Sequence, residues 1–366
     1  MDNRVVISNR QFTILVIMNV IGTTILIIPS LLAKEANQDA WLSAILALAV
    51  SMPLLWLYLA IHKRQPTKTL VQLFEVVLGK WAGKLFSLLF LMIYPFFLGA
   101  LTLRNVGDFL TTQIMPETPI EMIHIIFMIV VVYAMKLGLE PIVRVSELLI
   151  PIALVMLFIM FVSIIPQIKA ENLFPILDNG YKPVIGGAIP FISFPFLENV
   201  LFLMVLPSVR DQSKVGKALF KGVIIGWAIL FLLILLTILV LGPYITASKV
   251  FPSYTLAKKI NIAEIFERVE ITIAIAWFIT SFIRICFYFY CAAAGIAQTL
   301  ELKDYRNLSI PLAMMLIVFS LSSVPNISFL MNTDLRTLPF FNLTFGLLLP
   351  LALLIMLAVK SGMRKQ

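Results

Sequence analysis

Residues 12–33 read FTILVIMNVIGTTILIIPSLLA, an apolar run of membrane-spanning length that is interrupted near its middle by Gly22, Thr23 and Thr24 and again by Pro29. In hydrocarbon, every backbone N–H or C=O released from a helix must find another partner or carry a heavy desolvation cost. A spanning helix therefore has no use for a soft centre unless the freed groups serve something. The interruption predicts a helix broken around a small ligand near the membrane midplane.

Windows of about 20 apolar residues give ten spans, at 12–33, 41–61, 85–103, 120–136, 146–166, 184–206, 218–241, 271–293, 309–324 and 338–359. With 61% hydrophobic residues, 13% charged residues and a mean hydropathy of +1.01, the chain reads as an all-α polytopic membrane protein of about ten transmembrane helices. The net charge of +9 is not a nucleic-acid signal, because the basic residues fall in the short connections. Of the 28 Lys and Arg residues, 18 lie on the side holding both ends of the chain and nine on the other, with Arg284 inside a span. That bias predicts cytoplasmic N- and C-termini. Residues 242–270 run against it, with Lys249, Lys258, Lys259 and Arg268 partly offset by Glu264, Glu267 and Glu270. The first run has full spanning length and no small-residue cleavage site directly after it, so it is read as a retained helix.

Ten spans divide into two sets of five, and an odd number per set inverts the second relative to the first. The expectation is a single transmembrane domain over 1–366, with one repeat at 12–166 and its inverted partner at 184–359. Span 6 then matches span 1, and it too is irregular, with Gly186, Gly187, Pro190 and Pro195 followed by Glu198. Helices 1 and 6 both broken at mid-membrane point to a binding site at the repeat interface. Residues 62–84 surround the amphipathic stretch TLVQLFEVVLG, which suits the inner membrane surface. Residues 242–270 suit a short outer helix over the site.

Glu198 and Arg284 are the two ionisable residues well inside these windows. Each lies about 14–15 Å from the inner end of its span, so they are equal in depth. A lone charge there would cost roughly 2.5–3.5 kcal/mol on insertion scales. Both should face the bundle interior, either as a buried pair that fixes packing or as part of the response to a ligand. Proline suits the first turn of a helix, so Pro195 predicts that the inner half of span 6 restarts there with Glu198 in its first turn. Candidate ligand contacts are Gly22, Thr23 and Thr24 on span 1, Tyr94 beside Pro95 on span 3, Phe194, Pro195 and Leu197 at the second break, and Thr280 and Ser281 on span 8. The competing reading for each hydroxyl is a bond back to its own helix carbonyls.

Enzymatic readings find little support. The chain has two histidines, His62 and His124, and no HExxH, CxxC, phosphate-binding or dinucleotide-binding glycine loop. No catalytic residue, metal ligand or cofactor is expected. Cys286 and Cys291 lie five apart on one helix, on different faces, and are read as packing residues. Gly222 and Gly226 form a GxxxG pattern in span 7 that suits a close helix contact.

The opening ISNRQFTILVIMNVIGTTILIIPSLLAKEANQDAWLS resembles the B subunit of the GerA-type spore germinant receptors, a branch of the amino acid–polyamine–organocation transporter superfamily. The most specific part runs from Ile7 through Ser43 and includes Gln11, Gly22, Pro29, Gln38, Asp39, Ala40 and Trp41. The resemblance implies a LeuT-like inverted repeat with spans 3 and 8 lining the cavity between broken spans 1 and 6. It also implies nutrient sensing in the inner membrane of a dormant spore, alongside an A subunit and a lipoprotein C subunit, with an amino-acid permease as the alternative. Within that frame, Glu198 takes one anion-favouring helix end and leaves a ligand carboxylate the N–H groups at Thr23 and Thr24. A zwitterionic amino acid, its amine held by carbonyls of the unwound segments, is the favoured ligand.

Overall fold

The computed structural model describes residues 6–259 and 269–363. Arg268, Glu264 and Glu267 of the outer connection lie outside the described residues.

Span 1 is two helices, α1 (Asn9–Ile21) and α2 (Thr24–Ala36). The start of α1 is fixed by a reciprocal cap: the Gln11 amide N–H donates to Ser8 Oγ at 3.1 Å and the Ser8 N–H to Gln11 Oε1 at 2.9 Å. After α2 the chain reverses at Asn37, whose φ of 50° suits an Asn better than most residues, and continues as α3 (Ala40–Arg64). The reversal is tied to the span 5–6 connection, where Gln38 donates to the Pro175 carbonyl and the Asp39 carboxylate accepts the Leu177 N–H. Part of the sequence pattern around Gln38 and Asp39 is thus a corner brace.

Helix α4 (Leu70–Leu78) leads into span 3, which comprises α5 (Lys80–Ile93) and α6 (Pro95–Gln113). Spans 4 and 5 are α7 (Ile120–Leu137) and α8 (Leu139–Ile164). Span 6 begins as α9 (Lys182–Phe191) and ends in a 3-10 segment, Leu197–Met204. Span 7 is α10 (Val215–Leu241), followed by short helices α11 (Pro243–Ser248) and α12 (Pro252–Lys258). Span 8 is α13 (Glu270–Thr299) and span 9 is α14 (Ser309–Ser322). Span 10 runs through α15 (Ile327–Asn332), α16 (Leu338–Leu343) and α17 (Leu349–Met363).

By continuous length, nine helical stretches among the described residues can cross a membrane. The stretch 24–64 contains the Asn37 reversal, and α1 is too short to count alone. Directions follow from side-chain contacts along α10. Thr13 donates to the Ala218 carbonyl and Val20 meets Gly226, whereas Leu59 meets Gly216 and Trp227 donates to the Ala44 carbonyl. So α1 runs parallel to α10 and α3 runs against it, which restores ten crossings. The GxxxG pair is this contact: a Cβ on Gly222 would lie 2.7 Å from Val16, and one on Gly226 2.7 Å from Val20.

Burial sorts the spans. In its most apolar window span 6 is 89% buried, while spans 5, 9 and 10 are 28% buried and face lipid with residues such as Leu148, Phe158, Met314 and Val318. Spans 1, 6 and 8 form the centre. Three sequence expectations need correction. Span 10 starts at Ile327 rather than 338, and span 3 extends to Gln113 rather than 103, because Asp334 and the Arg104–Asp108 pair depress local hydropathy while lying buried inside helices. Arg104 is therefore not an outer-loop cation, and Glu198 and Arg284 are not the sole charges within spans. Finally, α4 does not merely rest on the membrane, since Leu70, Val71, Leu73 and Phe74 are buried against neighbouring spans.

Candidate functional site

Helix α1 ends at Gly22 with φ +29° and ψ −134°, a conformation that glycine adopts without Cβ strain. The Gly22 N–H still donates to Met18 at 2.9 Å, but helix termination leaves last-turn carbonyls without the next N–H. Arg284 of α13 fills that position. Its Nη1 donates to the Asn19 carbonyl and to Thr24 Oγ1, each at 3.0 Å, and its chain occupies the space a Cβ on Gly22 would need. The break is plugged by the protein's own cation, where the sequence suggested open backbone facing a ligand.

Span 6 breaks at Phe194, which is extended at φ −125° and ψ 102°, with a cis bond to Pro195. The inner half resumes with Glu198 in its first turn. Glu198 and Arg284 are both fully buried and form an ion pair through Oε2 and Nη2. Tyr288 donates to the same carboxylate oxygen, and Asn342 of span 10 reaches Oε1 at 3.4 Å while bonding Ser193 Oγ at 3.0 Å. The Phe194 ring lies 4.3 Å from the Arg284 guanidinium carbon. The pair has an electrostatic logic beyond its own attraction. Arg284 sits at the negative C-terminal end of α1, and Glu198 at the positive N-terminal end of the inner half of span 6.

Gly22, Thr24, Phe194, Glu198, Thr280 and Arg284 are thus brought together. Thr280 Oγ1 lies 3.2 Å from the Gly22 carbonyl and 3.0–3.1 Å from the Trp277 and Ala276 carbonyls of its own helix. Thr23 Oγ1, both Asn19 carboxamide atoms and Arg284 Nε at this break, with Ser281 Oγ on α13 and Tyr94 Oη on span 3, are buried with no hydrogen-bond partner among the described residues. Tyr94 stacks among Phe90, Phe341 and Phe345 at the bend where α5 meets α6, within electrostatic reach of Glu198. Pro195 is buried beside the pair but offers only a carbonyl. Leu197 faces away, packing on Gly346 while its carbonyl accepts the Tyr58 hydroxyl at 3.2 Å.

Tyr288, Asn342 and Asn19 were missed by sequence reasoning. Tyr288 continues the four-residue spacing of Thr280 and Arg284, a signal obscured by the aromatic run around it. The other two are amides in otherwise apolar windows. On the side of the bundle away from the chain ends, a cavity of about 430 Å³ lies between α6, α12 and α13, walled by Phe109, Tyr254 and Trp277. Trp277, one helical turn before Thr280, packs on Phe109, which in turn meets Tyr254.

A bundle in which two broken, oppositely directed helices meet at a polar centre is a polytopic membrane protein of the LeuT-like inverted-repeat class. The crystal structure of MhsT in complex with L-phenylalanine has this fold, with a TM-score of 0.64 and 16% identity over 98% of this chain and 89% of that one. Residues 6–328 match the spore germination protein family, and the chain belongs to it. Relatives include spore germination protein KB of Bacillus subtilis (strain 168), 29% identical over 98% of this chain and 96% of the relative. Spore germination protein A2 of the same organism is 27% identical over 79% and 80%, and spore germination protein XB of Bacillus anthracis 24% identical over 80% and 81%.

Proposed function

We propose that this chain is the nutrient-sensing B-type subunit of a spore germinant receptor, a non-enzymatic protein that binds an amino acid between the broken helices. The observation that carries the proposal is a set of buried polar atoms without a partner among the described residues, on Asn19, Thr23 and Arg284 at the span 1 break, on Ser281 of span 8 beside Thr280, and on Tyr94 of span 3 within reach of Glu198. In an apolar bundle such groups are costly unless a ligand or water satisfies them. The ion pair compensates one end of each broken helix. The start of α2 and the end of α9 remain, one favouring a carboxylate and the other an ammonium group. Arg284 adds positive potential at the carboxylate end through its contact with Thr24. MhsT, of the same fold, holds L-phenylalanine in its solved structure, which is compatible with an amino acid here.

Within this reading, residues 12–166 and 184–359 are the two repeats, and both termini face the spore cytoplasm across the inner membrane. Burial of Arg104 removes a cation from the outer side and strengthens the charge bias. Receptor A and lipoprotein C subunits are the partners. The test is a thermal-shift panel of amino acids, sugars and nucleosides on the purified chain, followed by uptake of the best ligand into vesicles. An amino acid should stabilise the chain without accumulating, since sensing needs only differential affinity for two conformations. Robust saturable uptake would overturn the receptor reading in favour of a permease.

A further inference from the structure

The end of α3 and the start of α10 enclose a second cavity, of about 390 Å³, on the face that carries both chain ends. Its lining divides by depth. Near the surface are His62, Lys63, Gln212 and Lys217, and deeper are Trp56 and Phe220, whose rings are 5.2 Å apart. Trp56 precedes Lys63 by seven residues, about 10 Å along the helix, and Phe220 lies about 4.5 Å beyond Lys217. Trp56 is 61% exposed on a surface that meets lipid. Cation above, aromatic wall below, open sideways to the bilayer, is the profile of a phospholipid and not of a soluble ion.

The charges are available. Neither Lys63 nor Lys217 has an ion-pair partner among the described residues, and the neighbouring Asp211 is engaged by Ser213 and by Lys214 at 3.2 Å. The first turn of the 27-residue helix α10 also lines the cavity, through Val215, Gly216 and Lys217, with Leu59 packed against Gly216. His62 supplies an acceptor that suits a headgroup hydroxyl rather than the phosphate. Gln212 Nε2 donates to the Leu206 and Val209 carbonyls, so its Oε1 is the acceptor facing His62 Nε2 at 2.6 Å. That arrangement puts a proton on Nε2 and leaves Nδ1, in a side chain 3% exposed, without a partner among the described residues.

We infer that this cavity binds the phosphate headgroup of an anionic phospholipid, held by Lys63, Lys217 and the α10 N-terminus, with an acyl chain against Trp56 and Phe220. Occupancy would brace span 2 against span 7. Span 7 packs along α1, so the lipid would steady the element whose break forms the proposed nutrient site.

The test uses the full chain in nanodiscs with phosphatidylglycerol or phosphatidylcholine carrying brominated chains, reading the part of the tryptophan quenching that Trp56→Phe removes. Phosphatidylglycerol should quench it at a several-fold lower mole fraction. Lys63→Gln and Lys217→Gln should each erode that preference by about fivefold, while Lys63→Arg and Lys217→Arg keep it. Equal quenching by the two lipids, or a double Gln variant that behaves as wild type, would overturn the assignment. Loss of quenching on adding millimolar inorganic phosphate would overturn the lipid in favour of a free anion.

Discussion

Replacing Glu198 by Gln leaves Arg284, in a fully buried position, without its paired carboxylate, with Asp334 the remaining acidic group within electrostatic reach. Its remaining partners are neutral: the Asn19 carbonyl, Thr24 Oγ1 and the rings of Phe194 and Tyr288 at 4.3 and 5.3 Å. Breaking a buried pair by removing one partner typically costs 3–5 kcal/mol, roughly. Arg284→Gln should cost less, because a stripped carboxylate can take up a proton whereas a guanidinium cannot give one up. The double variant, with two neutral amides facing each other, should recover a coupling energy of about 2–3 kcal/mol relative to the sum of the singles. The assay is a double-mutant cycle on detergent-purified protein, with denaturation followed by tryptophan fluorescence. Strictly additive losses would refute the reasoning, as would an Arg284→Gln variant clearly less stable than Glu198→Gln.

Other outcomes follow from the same contacts. Thr23→Val and Ser281→Ala remove hydroxyls with no hydrogen-bond partner among the described residues, so stability should change by about 0.5 kcal/mol or less, while nutrient affinity falls roughly two- to tenfold; binding isotherms beside melting curves check this. Gly22→Ala places a Cβ in the space held by Arg284 and at a φ of +29°, and should destabilise the fold by about 1–3 kcal/mol, a loss that thermal melting would reveal. Lys84 and Lys80 beside Glu301 hold its carboxyl below the usual carboxylate range. Their contribution is therefore present above that range and lost as pH falls from it through the lowered pKa of the folded state; a Glu301→Gln variant should match wild type in strong acid and fall slightly below it at neutral pH, in paired thermal melts.

Much of the architecture is legible because hydrocarbon enforces it. Gly22 and Pro195 mark the two breaks, since a helix interruption at mid-membrane must be encoded by residues that tolerate it. Similar depth of Glu198 and Arg284 follows from counting residues back from the inner ends of their spans, although the inner half of span 6 is 3-10 and rises faster per residue than the α-helix of span 8. What sequence could not provide is azimuth. Thr280 and Ser281 are adjacent, yet one hydroxyl contacts Gly22 and the other is unpartnered. Leu197 is next to Glu198 but points to span 10. Charged residues that pair within a helix, such as Arg104 with Asp108 four residues on, shorten the apparent span because hydropathy counts them as polar whether or not they are neutralised. Arg284 filling the span 1 break was likewise invisible, because it depends on how far span 8 approaches span 1.

The central claim is that an amino acid is held at the span 1 break by groups the protein leaves unpaired. The most direct measurement is equilibrium dialysis of the stabilising amino acid against the purified chain and its Thr23→Val, Ser281→Ala double variant, at matched folded concentration. Saturable binding by the parent chain, weakened several-fold or more in the variant while its melting temperature holds, is the expected result. Undiminished binding by the variant would contradict the account.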